Sequence, residues 1–408
     1  MTYPKGAIVL YSAMAAGLCI LFALAIKPMT DKMLLPYPAI MVFLGFISSE
    51  LLVSLGIDTG IRYDNFNNLI STLFIPTVIF NTALSFDEKI LRADRLTLLY
   101  LLTVTFGLTL LITTILIYYC INHPTGFPWE AAFLTASLLA ATNARVISDL
   151  LRHAGISLRM LLLLESESLI TSVLSVTLFG YLLMVLTHPK AASSFHWLIY
   201  FILTFILPML LGFFSSLLVR VFLRNTSDNA VHSALILVFV YGLYGLSQSL
   251  VPASGALAVF VFGMRIKNWV HDHPFLAQYW RANTLIATLM MFFLLGVTIT
   301  GNLFSERWIA ILIGIFSLLC ARITGIVPGL SFLSKTKRIP PITIKEQSLL
   351  SLCGTRGALT IALAFMLPET LDYWWTIQAI AFGVVIFSIF IQAPLAAWWQ
   401  RLVIGSAS

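Results

Sequence analysis

The sequence predicts an all-α polytopic membrane protein with about thirteen transmembrane helices. Three observations predict it. Hydrophobic residues make up 59% of the 408 positions and charged residues only 10%, against roughly 25% charged in a soluble domain. Apolar runs of about 20 residues recur along the chain, each long enough to cross a ~30 Å hydrocarbon layer. The basic residues alternate between the two sets of connecting segments, as a multi-pass topology requires. A transmembrane β-barrel would instead show alternating segments of about 10 residues.

The elements follow in order. Span 1, 6–26, is GAIVLYSAMAAGLCILFALAI, free of charge. It exceeds the 7–15 apolar residues of a signal peptide and reads as a retained span. Span 2 (34–57) carries Glu50 and Ser54 near its end, polar groups that suit an interface, and spans 3 and 4 cover 66–86 and 96–121. Span 5 (129–151) contains LLAATNARVIS at 138–148, a polar break with an arginine inside an apolar run. Such an arginine costs on the order of 2.5–3.5 kcal/mol on insertion scales, so it demands a reason. Span 6 (160–187) begins MLLLLESES and places Glu165 and Glu167 about a turn inside the apolar run. Spans 7 to 10 cover 196–222, 231–250, 253–270 and 282–301. Span 11 (308–333) holds Arg322, and span 12 (347–368) holds CGTRGA at 353–358. Span 13 (374–400) carries Trp374–Trp375 and Trp398–Trp399, suited to an interfacial belt.

Charge tests the count. One set of alternate connecting segments holds four basic residues (Lys5, Arg62, Lys190, Arg307) and the other seventeen. A miscounted span would scramble that split. It orients the N-terminus outside and the C-terminus in the cytoplasm, and it accounts for the net charge of +7 without nucleic acid. Of the 24 lysines and arginines, this leaves Arg145, Arg322 and Arg356, inside spans and outside both sets.

Thirteen spans allow two six-span halves, 1–190 and 228–408, joined by a linking helix at 196–222. The halves are then inverted relative to each other, a recurrent design of secondary transporters. Span 5 corresponds to span 12, and both carry polar, arginine-bearing breaks. The expected site therefore gathers Thr142, Asn143, Arg145, Thr355 and Arg356 with Glu167, Thr171 and Ser172 of span 6. Glu167 and Thr171 share a face by i,i+4 spacing. A buried carboxylate needs a partner, and Arg322 is the charge in the interior of span 11, so a Glu167–Arg322 ion pair is expected. For Arg145 the sequence leaves three courses open: Glu165, Asp149, or snorkelling to the cytoplasmic face.

Other features are bland. The four cysteines show no paired spacing and suit packing rather than disulfides or metal. The seven histidines fall at span ends or in loops, with the H-D-H at 271–273 expected in a solvated loop. No nucleotide fingerprint, phosphate loop, zinc spacing or nucleophile elbow is present. The chain reads as a transporter without cofactor, not an enzyme or a nucleotide-driven pump.

The segments resemble the sodium/proton antiporter family of the monovalent cation:proton antiporter superfamily, in its NhaP-like and eukaryotic exchanger branch. LFIPTVIFNTALSFDEKIL (73–91) is similar to the family's LPLLLFEAALNLDLREL, and FLTASLLAATNARVI (133–147) to its ALTASLLAATDPVAV. LLLLESESLITSVLSVTLF (161–179) is similar to LLLEGESLLNDGVALVLF, and GTRGALTIALAF (354–365) to GLRGAVSLALAL. The resemblance implies two crossed, discontinuous helices at spans 5 and 12, a homodimer in the cell (inner) membrane, contact with lipid, and elevator-type exchange of a monovalent cation, sodium, for protons. It also implies that the family's ion-binding carboxylates are replaced. The Asn-Asp pair becomes Thr171-Ser172, and the Asp-Pro of the break becomes Asn143-Ala144, followed by Arg145. Antiport needs a group that holds either a proton or a cation, and a serine does not titrate in the working range. An arginine at about 4 Å would repel a sodium ion by about 4 kcal/mol at an effective dielectric of about 20. The alternatives are a divergent member with an altered substrate, an anion or neutral solute, or a transport-inactive sensor or scaffold.

Overall fold

The fold is that of a computed structural model describing residues 36–54, 70–86, 94–121, 126–187, 194–225, 228–251, 254–299, 301–336 and 338–405. Among them every regular element is a helix. The helices are α1 (Tyr37–Ser54), α2 (Ile75–Leu84, entered by a π turn at Ile70–Phe74), α3 (Arg95–Cys120), α4 (Trp129–Leu139) and α5 (Arg145–His153). They continue with α6 (Leu158–Thr187), α7 (Ser194–Arg224), α8 (Asn229–Leu250), α9 (Gly255–His271), α10 (Pro274–Thr298) and α11 (Gly301–Lys335). The last are α12 (Ile344–Leu352), α13 (Ala358–Phe365), α14 (Trp374–Phe387), a π turn at Ser388–Gln392, and α15 (Ala393–Gly405).

Each expected span from the second to the thirteenth falls on a helix or a broken pair of helices, and the first lies outside the described residues. Seven helices among the described residues are long and apolar enough to cross a membrane. The protein is a multi-pass membrane protein. Two boundaries differ from expectation. α10 starts at Pro274, well before 282, because a proline at the first helical position is favoured there and the polar Arg281 and Asn283 lie inside the helix. Arg307, expected in a connection, is a non-helical kink inside α11.

Packing divides the helices into two groups. α1 lies along α10, where a Cβ on Gly45 or Gly296 would collide with the carbonyl oxygens of Phe293 or Val42, so glycine lets the two backbones touch. α2, α7 and α8 pack on α9 in the same group. In the other, α3 packs on α4 and α11, α11 on α14, α4 on α6, and α15 on α5. α7 turns Leu198, Phe214 and Phe222 outward, an apolar face fit for lipid. The described histidines sit at or near helix ends, with His271 and Asp272 exposed. His232 is only 3% exposed and meets Trp269 edge-on, while His273 stacks on Trp269 at 4.2 Å. Cys120, Cys320 and Cys353 are free.

Candidate functional site

The polar run at 141–144 stops α4 at Leu139 and starts α5 at Arg145. The second run stops α12 at Leu352, and Gly357 stands in extended backbone before α13. The two breaks cross and bond to each other. Asn143 N donates to Thr355 O at 2.7 Å, and Thr355 Oγ1 returns a bond to Asn143 O at 2.9 Å. Thr360 Oγ1 reaches Ala141 O at 3.3 Å. A Cβ on Gly357 would collide with Asn143 Nδ2, so the crossing needs glycine there for closeness.

α6 braces the first break. Ser168 Oγ accepts from Ala144 N at 2.8 Å and donates to Thr142 O at 2.9 Å. Ser172 Oγ donates to the same Thr142 carbonyl, and the hydroxyls of Thr171 and Thr142 lie 2.8 Å apart. Backbone groups freed by an interrupted helix must be satisfied within the protein, and these hydroxyls do it.

Three arginines inside the spans share one pattern: each guanidinium meets the carbonyl end of a helix, where the macrodipole is negative. Arg356 Nε donates to Leu139 O at 2.6 Å at the end of α4, and its Nη1 donates to Gly354 O. Arg322 Nη2 donates to Leu350 O at 2.8 Å near the end of α12. Arg322 also forms a two-pronged contact with Glu167, through Nη1 to Oε1 and through Nη2 to Oε2 at 3.4 Å. Arg145 Nη2 donates to Asn81 O at 3.2 Å and Ser85 Oγ at 2.9 Å at the end of α2. Neither Glu165 nor Asp149 pairs with Arg145, which turns to the last turn of α2. Glu165 takes Arg152 at 3.3 Å instead, because that arginine projects from the next turns of α5 while Arg145 turns to the α2 carbonyls.

Beside the crossing lies a cavity of about 830 Å³. Of the expected residues, Thr142, Asn143, Arg145 and Ser172 line it. Glu167, Thr171, Thr355 and Arg356 do not; they are at most 2% exposed and hold the crossing from behind. Two carboxylates line the cavity, Asp149 and Glu165, against four cations, Arg145, Arg152, Lys267 and Arg281. Lys267 and Arg281 were counted among the connecting segments in the sequence, and nothing in their spacing places them here. Asn81 and Ser85 lie in the stretch 73–91 that carries part of the family resemblance, the one available signal. Chemically the wall offers neutral hydroxyl and amide oxygens and two carboxylates. No cluster of three metal-ligating side chains occurs among the described residues.

The family described as "Sodium/hydrogen exchanger, transmembrane" matches residues 17–400. The low-affinity Na+/H+ antiporter NhaS1 of Synechocystis is 27% identical over 339 residues, covering 79% of this chain and 62% of that protein. The Na+/H+ antiporter ApNhaP of Aphanothece halophytica is 26% identical, with coverage of 79% and 62%. The chain thus spans less than two thirds of the length of these two relatives. The structure of the sodium proton antiporter MjNhaP1 from Methanocaldococcus jannaschii at pH 8 superposes with a TM-score of 0.78 at 18% identity, covering 97% of this chain and 98% of that one. At that identity the likeness establishes the fold.

Proposed function

The chain belongs to the transmembrane sodium/hydrogen exchanger family, and from that premise we propose that it is a secondary active transporter exchanging a monovalent cation, sodium in the first instance, for protons. One observation carries the reading: the cavity beside the crossed helices keeps carboxylates on its wall although the family's carboxylate positions are Asn143 and Ser172. A group that alternates between proton and cation needs water access and a partner it can release. Glu165 has both, with 21% side-chain exposure and an exposed partner in Arg152. Glu167 is buried and committed to Arg322, a structural pair. Glu165 is therefore the alternating group, with Asp149 as its neighbour, and Thr142, Asn143 and Ser172 supply neutral oxygens.

The crossing of α4–α5 with α12–α13 is the moving part, braced by Thr171, Thr355 and Arg356. It slides against α1, α2, α9 and α10 in an elevator-type cycle. The inverted halves 1–190 and 228–408, the linker 196–222, a homodimer, residence in the cell (inner) membrane, an outside N-terminus and a cytoplasmic C-terminus complete the reading. Everted vesicles carrying a ΔpH dye test it. Sodium, lithium or potassium is expected to dequench the dye, and Glu165→Gln to abolish the response. No dequenching between about pH 6 and 9 would sink the proposal.

A second reading has its own observation, the excess of four cations over two carboxylates on the cavity wall. It makes the substrate a small anion. Currents on a solid-supported membrane, screened over small anions, are expected to vanish in Arg145→Ala; currents indifferent to that change remove the reading.

A further inference from the structure

We propose that Arg145 sets the cation affinity of the site by standing in for the transported ion, and that the same side chain bolts the broken helix to α2. This rests on the reading of the protein as a cation exchanger and adds a competitor built into the chain.

The guanidinium is half-buried on the cavity wall, on the first residue of α5. An intramembrane arginine ordinarily finds a carboxylate. Two line the same cavity, yet among the described residues Arg145 forms no salt bridge. It takes neutral oxygens instead, the Asn81 carbonyl at 3.2 Å and the Ser85 hydroxyl at 2.9 Å. Carbonyl and hydroxyl oxygens are what replace the hydration shell of a monovalent cation. These belong to the carbonyl end of α2, where the helix dipole gathers negative charge. A cation entering the cavity meets a guanidinium already seated on the oxygens that suit it.

The rest of the α2 end is closed from α9. Lys267 Nζ donates to Phe86 O at 3.0 Å, and His271 Nε2 lies 2.9 Å from Leu84 O. α2 packs on α9 and α10, so those contacts stay within one helix group. The Arg145 bonds do not. They come from α5, which packs on α6 and α15 in the other group. Sliding of the crossing past α2 must break them. Affinity and movement thus depend on one side chain: a cation displaces the guanidinium from Asn81 O and Ser85 Oγ, and displacement frees the crossing.

The test uses the full chain in liposomes, with Arg145→Ala, Arg145→Lys and Ser85→Ala beside the wild type. The half-saturating sodium concentration is expected to fall about tenfold in Arg145→Ala, roughly what one unit of like-charge repulsion at a half-exposed site provides. Ser85→Ala takes the same oxygen from the guanidinium and from the entering cation and is expected to leave it within about twofold, as is Arg145→Lys. In parallel, spin labels at Leu73 and His153, both exposed, report the distance between the α2 segment and α5 without any transport. That distribution is expected to be narrow in the wild type and broad in Arg145→Ala. Unchanged or weakened sodium affinity in Arg145→Ala overturns the competitor; an unchanged distance distribution overturns the bolt. If no variant moves sodium, the exchange reading fails, and broadening in Arg145→Ala still upholds the bolt while a narrow distribution overturns it.

Discussion

Glu165 and Glu167 are two residues apart in sequence and differ completely in what surrounds them. Glu167 is 2% exposed and held by Arg322, so removing its charge leaves a guanidinium unpaired in the membrane interior. Breaking such a pair costs about 3–5 kcal/mol. Glu165 faces Arg152, whose side chain is 58% exposed, and pairs of that kind contribute about 0–1 kcal/mol. Thermal unfolding of the purified protein is therefore expected to show a large loss for Glu167→Gln and almost none for Glu165→Gln. Equal losses would show that the two carboxylates have not been told apart. The need of Glu167 and Arg322 for each other was legible, because intramembrane charges seek partners and each span interior offered few. The bonds of Arg145 were not legible. They go to a backbone carbonyl and a serine, and a carbonyl leaves no mark in a sequence.

Helix interruptions carry the site. Both were legible as polar runs in apolar segments, TNAR at 142–145 and GTRG at 354–357. What the runs do not reveal is how the freed backbone is satisfied, since that depends on α6 lying across the first break. The hydroxyls of Ser168, Thr171 and Ser172 occupy that face and bond to Thr142 and Ala144. The π turns at Leu101–Thr105 and Ser388–Gln392 were invisible, because their side chains read as ordinary apolar helix. Closeness at the crossing makes a sharp prediction. Gly357→Ala pushes a methyl group into Asn143, and overpacking of this kind costs about 1–3 kcal/mol. The melting temperature is expected to fall, with partial recovery in Gly357→Ala combined with Asn143→Ala. Full stability of Gly357→Ala alone would mean that the breaks are looser than the structure has them.

At the scale of the whole molecule, the span pattern and the two grouped sets of helices follow from hydropathy and close packing. The arrangement of charges carries more information than its sum. The net +7 is spread mainly over one set of connecting segments, which fixes an expected orientation. A cysteine at exposed Lys335, in a background without the other cysteines, is expected to react with an impermeant reagent from the cytoplasmic side only. Four positive side chains, Arg145, Arg152, Lys267 and Arg281, line the cavity, and there they compete with the proposed cation whatever they add to topology. The account stands on a displaced carboxylate taking over the exchange. Its most direct test is sodium-driven proton movement by the purified protein in sealed liposomes, wild type beside Glu165→Gln. Exchange in the wild type and none in a fully folded Glu165→Gln is the predicted result; exchange that persists without the Glu165 carboxylate, or no sodium response in the wild type, would contradict it.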